Sequence, residues 1–196
     1  MNRSTTPFPA RAARTPHCRR RGRPRLALSV LGALAVALAS GAPVQAQTWS
    51  GLGLTAGWAD PLNWQGNVRP VSAATTAITF AGTRQTSTLQ NLGSPFVLNA
   101  MSFASGAGAF TVSGNPLRFA GSSASLVQNS ANPVTLAVPI QIVEQLVVSG
   151  SGSLTVKGTI SSANSDPAFR PRLVKRGSGR LTLTEPSSFR GLVAIE

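Results

Sequence analysis

Tyrosine is absent, cysteine and histidine occur once each, as Cys18 and His17, and the 196 residues include only five acids. Each shortage closes off a class of chemistry. Beyond residue 18 no Ser-His-Asp or Cys-His arrangement can be assembled, a zinc site lacks its usual ligands, and a disulfide framework is impossible. Asp60, Glu144, Asp166, Glu185 and Glu196 are scattered along the chain. A glycosidase needs two carboxylates facing one bond, and a calcium site needs clustered acids. Asp60 and Asp166 each precede proline, which suits a turn better than a reaction. The expectation is a protein that is not an enzyme and uses no metal or other cofactor.

Long apolar runs are also missing. The longest, Leu26 to Ala39, has 14 residues, against the roughly 20 that a helix needs to cross a bilayer core. It follows eight of the 18 basic residues, which lie between Arg3 and Arg25 with no acid among them, and it precedes SGAPVQA, with small residues at Val44 and Ala46. A basic start, an apolar middle and a small-x-small site mark a helical signal peptide over 1–46, cleaved after Ala46. Cys18, His17 and most of the formal charge of +13 belong to this leader. From Gln47 onward ten basic residues face five acids, a net of +5, so the basicity is no sign of a nucleic-acid partner. The expected location is the cell surface or the medium, or the periplasm if the chain is complete as given.

What remains is rich in Gly, Ser, Thr, Ala and Val, with charged residues at only 12%. Short runs such as TAITFAG, FVLNAMSFAS, LRFAG, PVTLAVPIQIVEQLVVSG and SLTVKGTIS alternate or are continuously apolar, and Gly, Asn-Pro or Ser separates them. That pattern predicts an all-β fold with no long helix. Three stretches share the form G-x-G-x-apolar-Thr-apolar: Gly106, Gly108 with Phe110; Gly150, Gly152 with Leu154; Gly177, Gly179 with Leu181 and Leu183. The first two are 44 residues apart and the last two 27, which suits stacked coils of about 20–25 residues with SANSDPAFRPR, Ser162 to Arg172, as an inserted loop. A β-solenoid and a β-sandwich of hairpins both fit, the solenoid better. A dinucleotide site is excluded, because strand-forming residues, not a helix, follow the glycines.

LVKRGSGRLTLTEPSSFRG, with Leu173, Lys175, Gly177, Gly179, Leu181, Thr182, Leu183, Phe189 and Gly191 at the pattern positions, resembles one unit of the autotransporter-associated β-strand repeat. Phe189 stands where that family more often has tyrosine, and Glu185-Pro186 replaces a small polar pair. TWSGLGLTAGWADPLNWQGNVRP, with Trp49, Trp58, Asn63, Trp64, Gly66 and Pro70, is similar to the usual start of such passengers. The resemblance covers nearly all of 47–196. It implies a surface-exposed or secreted right-handed parallel β-helix with a structural or adhesive role, usually followed by a translocator barrel or a sorting anchor. The chain stops in GLVAIE, inside a repeat unit, so a truncated N-terminal piece is expected, with any outer-membrane link in a C-terminal part not contained in it.

The resulting domain plan is a signal peptide at 1–46, a tryptophan-containing cap at 47–70 and a solenoid, incomplete at its C-terminus, at 71–196. Trp49, Trp58 and Trp64 have two candidate roles: a cap over the first coil, or a stacking platform for sugars in a secreted carbohydrate-binding module. Arg170, Arg172, Lys175, Arg176, Arg180 and Arg190 form a basic run that could meet lipopolysaccharide or acidic surface glycans. Strand alternation is expected to send Lys175 and Arg180 outward and to turn Val174 and Leu181 inward. Leu154, Leu181 and Leu183 are expected in one shared core.

Overall fold

The computed structural model describes residues 45–166 and 168–196; all of the expected leader except its last two residues lies outside them. β1 (Gln45–Trp49) is followed by an irregular stretch with two short 3-10 turns, at Pro61–Asn63 and Gln65–Asn67. Strands then come three to a coil. β2 (Thr76–Phe80), β3 (Ser87–Gln90) and β4 (Phe96–Leu98) make the first full coil, and β5 (Ala100–Phe103), β6 (Thr111–Gly114) and β7 (Leu117–Phe119) the second. β8 (Ser125–Gln128), β9 (Val134–Ala137) and β10 (Ile140–Ile142) follow, then β11 (Gln145–Ser149), β12 (Leu154–Val156) and β13 (Ile160–Ser162). β14 (Arg172–Lys175), β15 (Leu181–Leu183) and β16 (Leu192–Ile195) complete the described chain.

Each strand pairs with its equivalents one coil away, and all of these ladders are parallel. The first sheet runs β1-β2-β5-β8-β11-β14-β16, the second β3-β6-β9-β12-β15 and the third β4-β7-β10-β13. The fold is therefore a β-solenoid of about five turns, and the hairpin sandwich is excluded. The Gly-x-Gly motifs do not close hairpins: each turns the corner from the first sheet to the second. Between the coils that contain Gly106 and Gly150 lies one whose corner, Asn129 to Pro133, lacks the motif, which is why the first interval is 44 residues. The expected insertion occupies the corner between β13 and β14.

Period-two alternation decides which side chains enter. In β2 the buried residues are Thr76, Ile78 and Phe80, and in β11 they are Leu146 and Val148. Register then stacks like upon like: Phe80 lies on Phe103, with ring centroids 5.0 Å apart and planes 12° from parallel. Each such fully buried large apolar side chain contributes roughly 1.5–3 kcal/mol relative to exposure.

Two expectations about the last coils are corrected. Val148, which points inward, is paired with Lys175, so Lys175 occupies an inward column, while Val174, paired with Val147, lies on the opposite face, where it is nonetheless buried at 1% exposure, outside the main core. A single-strand alternation cannot fix its own phase; the neighbouring coil does. Leu154 is buried and Leu181 packs partly buried against the core, but Leu183 is 46% exposed. Leu183 is in register with buried Val156 and faces the interior line. β15 is the last strand of its sheet, so among the described residues no further strand covers it.

Candidate functional site

The three tryptophans converge at the N-terminal end. Trp49 ends β1, Trp58 follows a parallel bridge between Gly57 and Leu89, and Trp64 makes an antiparallel bridge back to Trp49. Asp60 nucleates the turn between them: its carboxylate accepts from the Leu62 N–H at 3.1 Å, and Pro61 sits at the first helical position. Asn63 holds the loop shut from inside. Its Nδ2 donates to the carbonyls of Thr55 (2.6 Å) and Gly57 (2.9 Å), and its Oδ1 accepts from the Gly53 N–H at 2.9 Å.

Every indole face is occupied. Trp64 meets Trp49 edge-on at 5.1 Å and Trp58 edge-on at 5.8 Å, while Trp58 packs on Phe96 at 5.7 Å and on Phe80 at 6.0 Å. Their relative exposures are 1%, 0% and 1% for Trp49, Trp58 and Trp64. The indole N–H groups are used internally, by Arg84 O, Thr88 Oγ1 and Trp58 O respectively. The sugar platform considered from sequence therefore has no ring face to offer: a stacking ligand needs an exposed one, and Phe80 and Phe96 of the first full coil take that place. The indoles lie over that coil's interior.

The glycines act by close approach. Gly150 (φ +110°) and Gly177 (φ +75°) have left-handed backbones, and a Cβ on Gly150 would be driven into the Gln128 carbonyl. A Cβ on Gly152 would strike Ser130 O, and one on Gly179 would strike Gly152 O. A Cβ on Gly108 would lie 2.8 Å from the Thr86 methyl, whereas one on Gly106 would meet nothing nearer than Ala81 O at 3.9 Å. These columns let consecutive corners stack at strand spacing.

Two further buried amides were not singled out by sequence. Gln90 donates to Gly93 O, Asn115 O and Pro116 O and accepts from the Leu92 N–H. Gln128 donates to Asn132 O and Ser153 O and accepts from the Ser130 N–H. Each stitches its own corner to the next coil. A signal was present: both glutamines end a strand and precede asparagine, as TLQN and LVQN.

The basic run does not form one patch. Arg170, Arg172 and Arg190 stand at the corner that enters the first sheet, near the start of β14, while Arg176 and Arg180 stand at the opposite end of that strand. Arg176 pairs with Glu196 at 2.6 Å, both side chains about half exposed. Lys175 points its ammonium to the carbonyls of Arg176 and Gly177 at 2.7 and 2.8 Å. Asp166 accepts from the Ala168 N–H, a turn contact like that of Asp60. Among the described residues no group of three acids, histidines or cysteines comes together.

Open clefts lie beside these features. One of about 350 Å³ is lined by Ser161, Ser162, Asn164, Ser165, Ser188 and Arg190, and one of about 410 Å³ by Leu173, Lys175, Leu181, Leu183, Val193 and Ile195 at the C-terminal end of the solenoid. No family model, curated protein or solved structure matches the chain.

Proposed function

We propose that the chain is an exported, surface or secreted β-helical passenger segment, autotransporter-like, whose work is mechanical: it forms a stiff rod that carries loops such as 163–171 away from its point of attachment. The observation that supports this most is where the polar side chains of the interior are engaged. Asn63, Gln90 and Gln128, the buried amides, each make contacts that close a corner or join one coil to the next. Asp60 and Asp166 are held in turns, and Glu196 is paired at the surface. These six side chains, which would otherwise be candidates for recognition or chemistry, are held in structural contacts. A parallel solenoid also suits the task, since each coil leans only on its neighbours and the reach of the rod grows with coil number.

The test is made in the organism that carries the gene. An epitope inserted between Asn164 and Ser165, in the exposed loop, should be labelled by antibody on intact cells or recovered in the medium. Labelling only after lysis would refute the surface assignment.

A further inference from the structure

The cap has two sides. One is made of the three indoles packed over the first full coil, and the other is exposed and apolar as well. Among the described residues outside β15 and β16, the exposed large apolar side chains are Leu52, Leu54, Leu62, Val68, Val71 and Leu89, and all but Leu89 fall between positions 52 and 71. Scattered aliphatics at a surface need no explanation, but a cluster marks a place of contact with something apolar. Leu54 is 95% exposed, on a loop of alternating glycine and leucine, Gly51 to Leu54.

A fixed frame holds these leucines out. Gly53, between Leu52 and Leu54, donates its N–H to Asn63 Oδ1 at 2.9 Å and receives Gln85 Nε2 on its carbonyl, while Ser50 Oγ donates to Leu62 O at 3.2 Å. Trp49, Trp58 and Trp64 already fill the interior beside them. The surrounding charge is mostly of one sign. Arg84 is exposed beside the same loop, its carbonyl accepting from the Trp49 indole, and Arg69 is exposed next to Val68. Neither forms an ion pair among the described residues. Asp60, the one acid of the cap, has its carboxylate engaged by the Leu62 N–H and the Thr55 hydroxyl.

A bilayer fits this surface better than a folded partner. A protein would have to supply a pocket for a leucine that stands almost wholly free, whereas the edge of a bilayer admits protruding aliphatic side chains without a matching shape and sets lipid phosphates beside arginine. The neighbouring sequence points the same way. Only Ser40 to Val44 separate β1 from the apolar run of the expected leader. Five extended residues reach at most roughly 18 Å, so export itself brings the cap to a membrane surface. We propose that the exposed side of the cap is a membrane-contact site, which inserts Leu52, Leu54 and Leu62 into an anionic bilayer and sets Arg69 and Arg84 against its phosphates. The three side chains together carry about as much aliphatic chain as a myristoyl group, which by itself gives reversible binding with an association constant of about 10⁴ M⁻¹. The nearness of a bilayer rests on the proposed export; the affinity does not.

The test uses the full chain as the cell leaves it, with vesicles of phosphatidylglycerol and phosphatidylcholine. Sedimentation should find half of the protein bound at about 0.1 mM lipid, and brominated lipid should quench the tryptophans, all of which lie in the cap. Leu52→Ser with Leu54→Ser should weaken binding by about tenfold or more and remove most of the quenching. Leu89→Ser, at a position 44% exposed on the second sheet, should leave both unchanged. Arg69→Gln with Arg84→Gln should erase the preference for anionic over neutral vesicles. Circular dichroism melts of the three variants should match that of the parent. Absence of binding, an equal loss from Leu89→Ser, or binding that the double leucine variant retains, whether through the leader or another surface, would overturn the proposal. So would a concentration-dependent dimer that the double leucine variant dissolves, since the patch would then belong to a second copy. Antibody labelling at Asn164 is a separate measurement, so export and membrane contact can fail independently.

Discussion

Leu154 and Leu181 offer a controlled comparison, because register makes them the same position in consecutive coils and only their cover differs. Leu154 is 2% exposed, with β9 on one side and β15 on the other, whereas Leu181 is partly buried with β12 alone beside it. Truncation to alanine removes the same carbons from both. At Leu154 the lost transfer energy is roughly 0.8 kcal/mol per methylene-sized group, and the cavity left in a coil that cannot collapse brings the cost to about 3 kcal/mol, within the usual 2–5. At Leu181 solvent fills the space, and the cost should be about half as large. For a chain of this size about 1 kcal/mol corresponds to a shift of roughly 2–4 °C in Tm, so Leu154→Ala should lower it by about 6–12 °C and Leu181→Ala by about 3–6 °C. Two optical probes sharpen the comparison. All three tryptophans lie at the N-terminal end, so their fluorescence follows the capped coils, while far-UV circular dichroism follows every coil. Leu181→Ala should move the dichroism transition more than the fluorescence transition, because end coils lean on one neighbour. Equal costs at the two positions would refute the reasoning, since they would mean that Leu181 is as enclosed as Leu154.

Gln128→Leu should destabilise by about 1–3 kcal/mol despite its greater hydrophobicity, because the Ser130 N–H and the Ser153 and Asn132 carbonyls lose their partner; denaturant midpoints measure it, and a neutral result would remove the amide's role between coils. Gly152→Val should disrupt folding, by collision with Ser130 O, while Gly106→Ala should be tolerated; melting curves of the pair separate steric need from composition. Glu196→Gln should change stability by less than about 0.5 kcal/mol, as the pair with Arg176 is exposed and screened; a larger loss, read from the same curves, would mark it as structural. Exported protein should begin at Gln47, leaving Gln47 to Trp49 paired with Ile78 to Phe80; N-terminal sequencing checks this, and an intact Met1 would contradict it.

Much of the architecture was legible because a solenoid repeats its local rules. Alternating TAITF, FVL, LRF and SLTV runs forecast strands, and the recurring Gly-x-Gly forecast coils, since the need to stack backbone on backbone at each corner selects the same residue in each turn. The coil between Gly106 and Gly150 shows in the sequence only as a 44-residue interval and carries no glycine motif, because Gln128, Ser130 and Asn132 satisfy that corner with side chains instead. Other properties depend on neighbours distant in sequence. Whether Val174 or Lys175 points inward is set by pairing with Val147 and Val148, and alternation alone is equally consistent with either phase. That no tryptophan offers an open face is decided by tertiary packing, with Trp58 against Phe80 and Phe96 and Trp64 between Trp49 and Trp58. The composition of a strand determines that it forms; what lies on either side of it, one coil up and one coil down, determines which of its side chains are buried, as the contrast between Val156 and Leu183 in a single column makes plain.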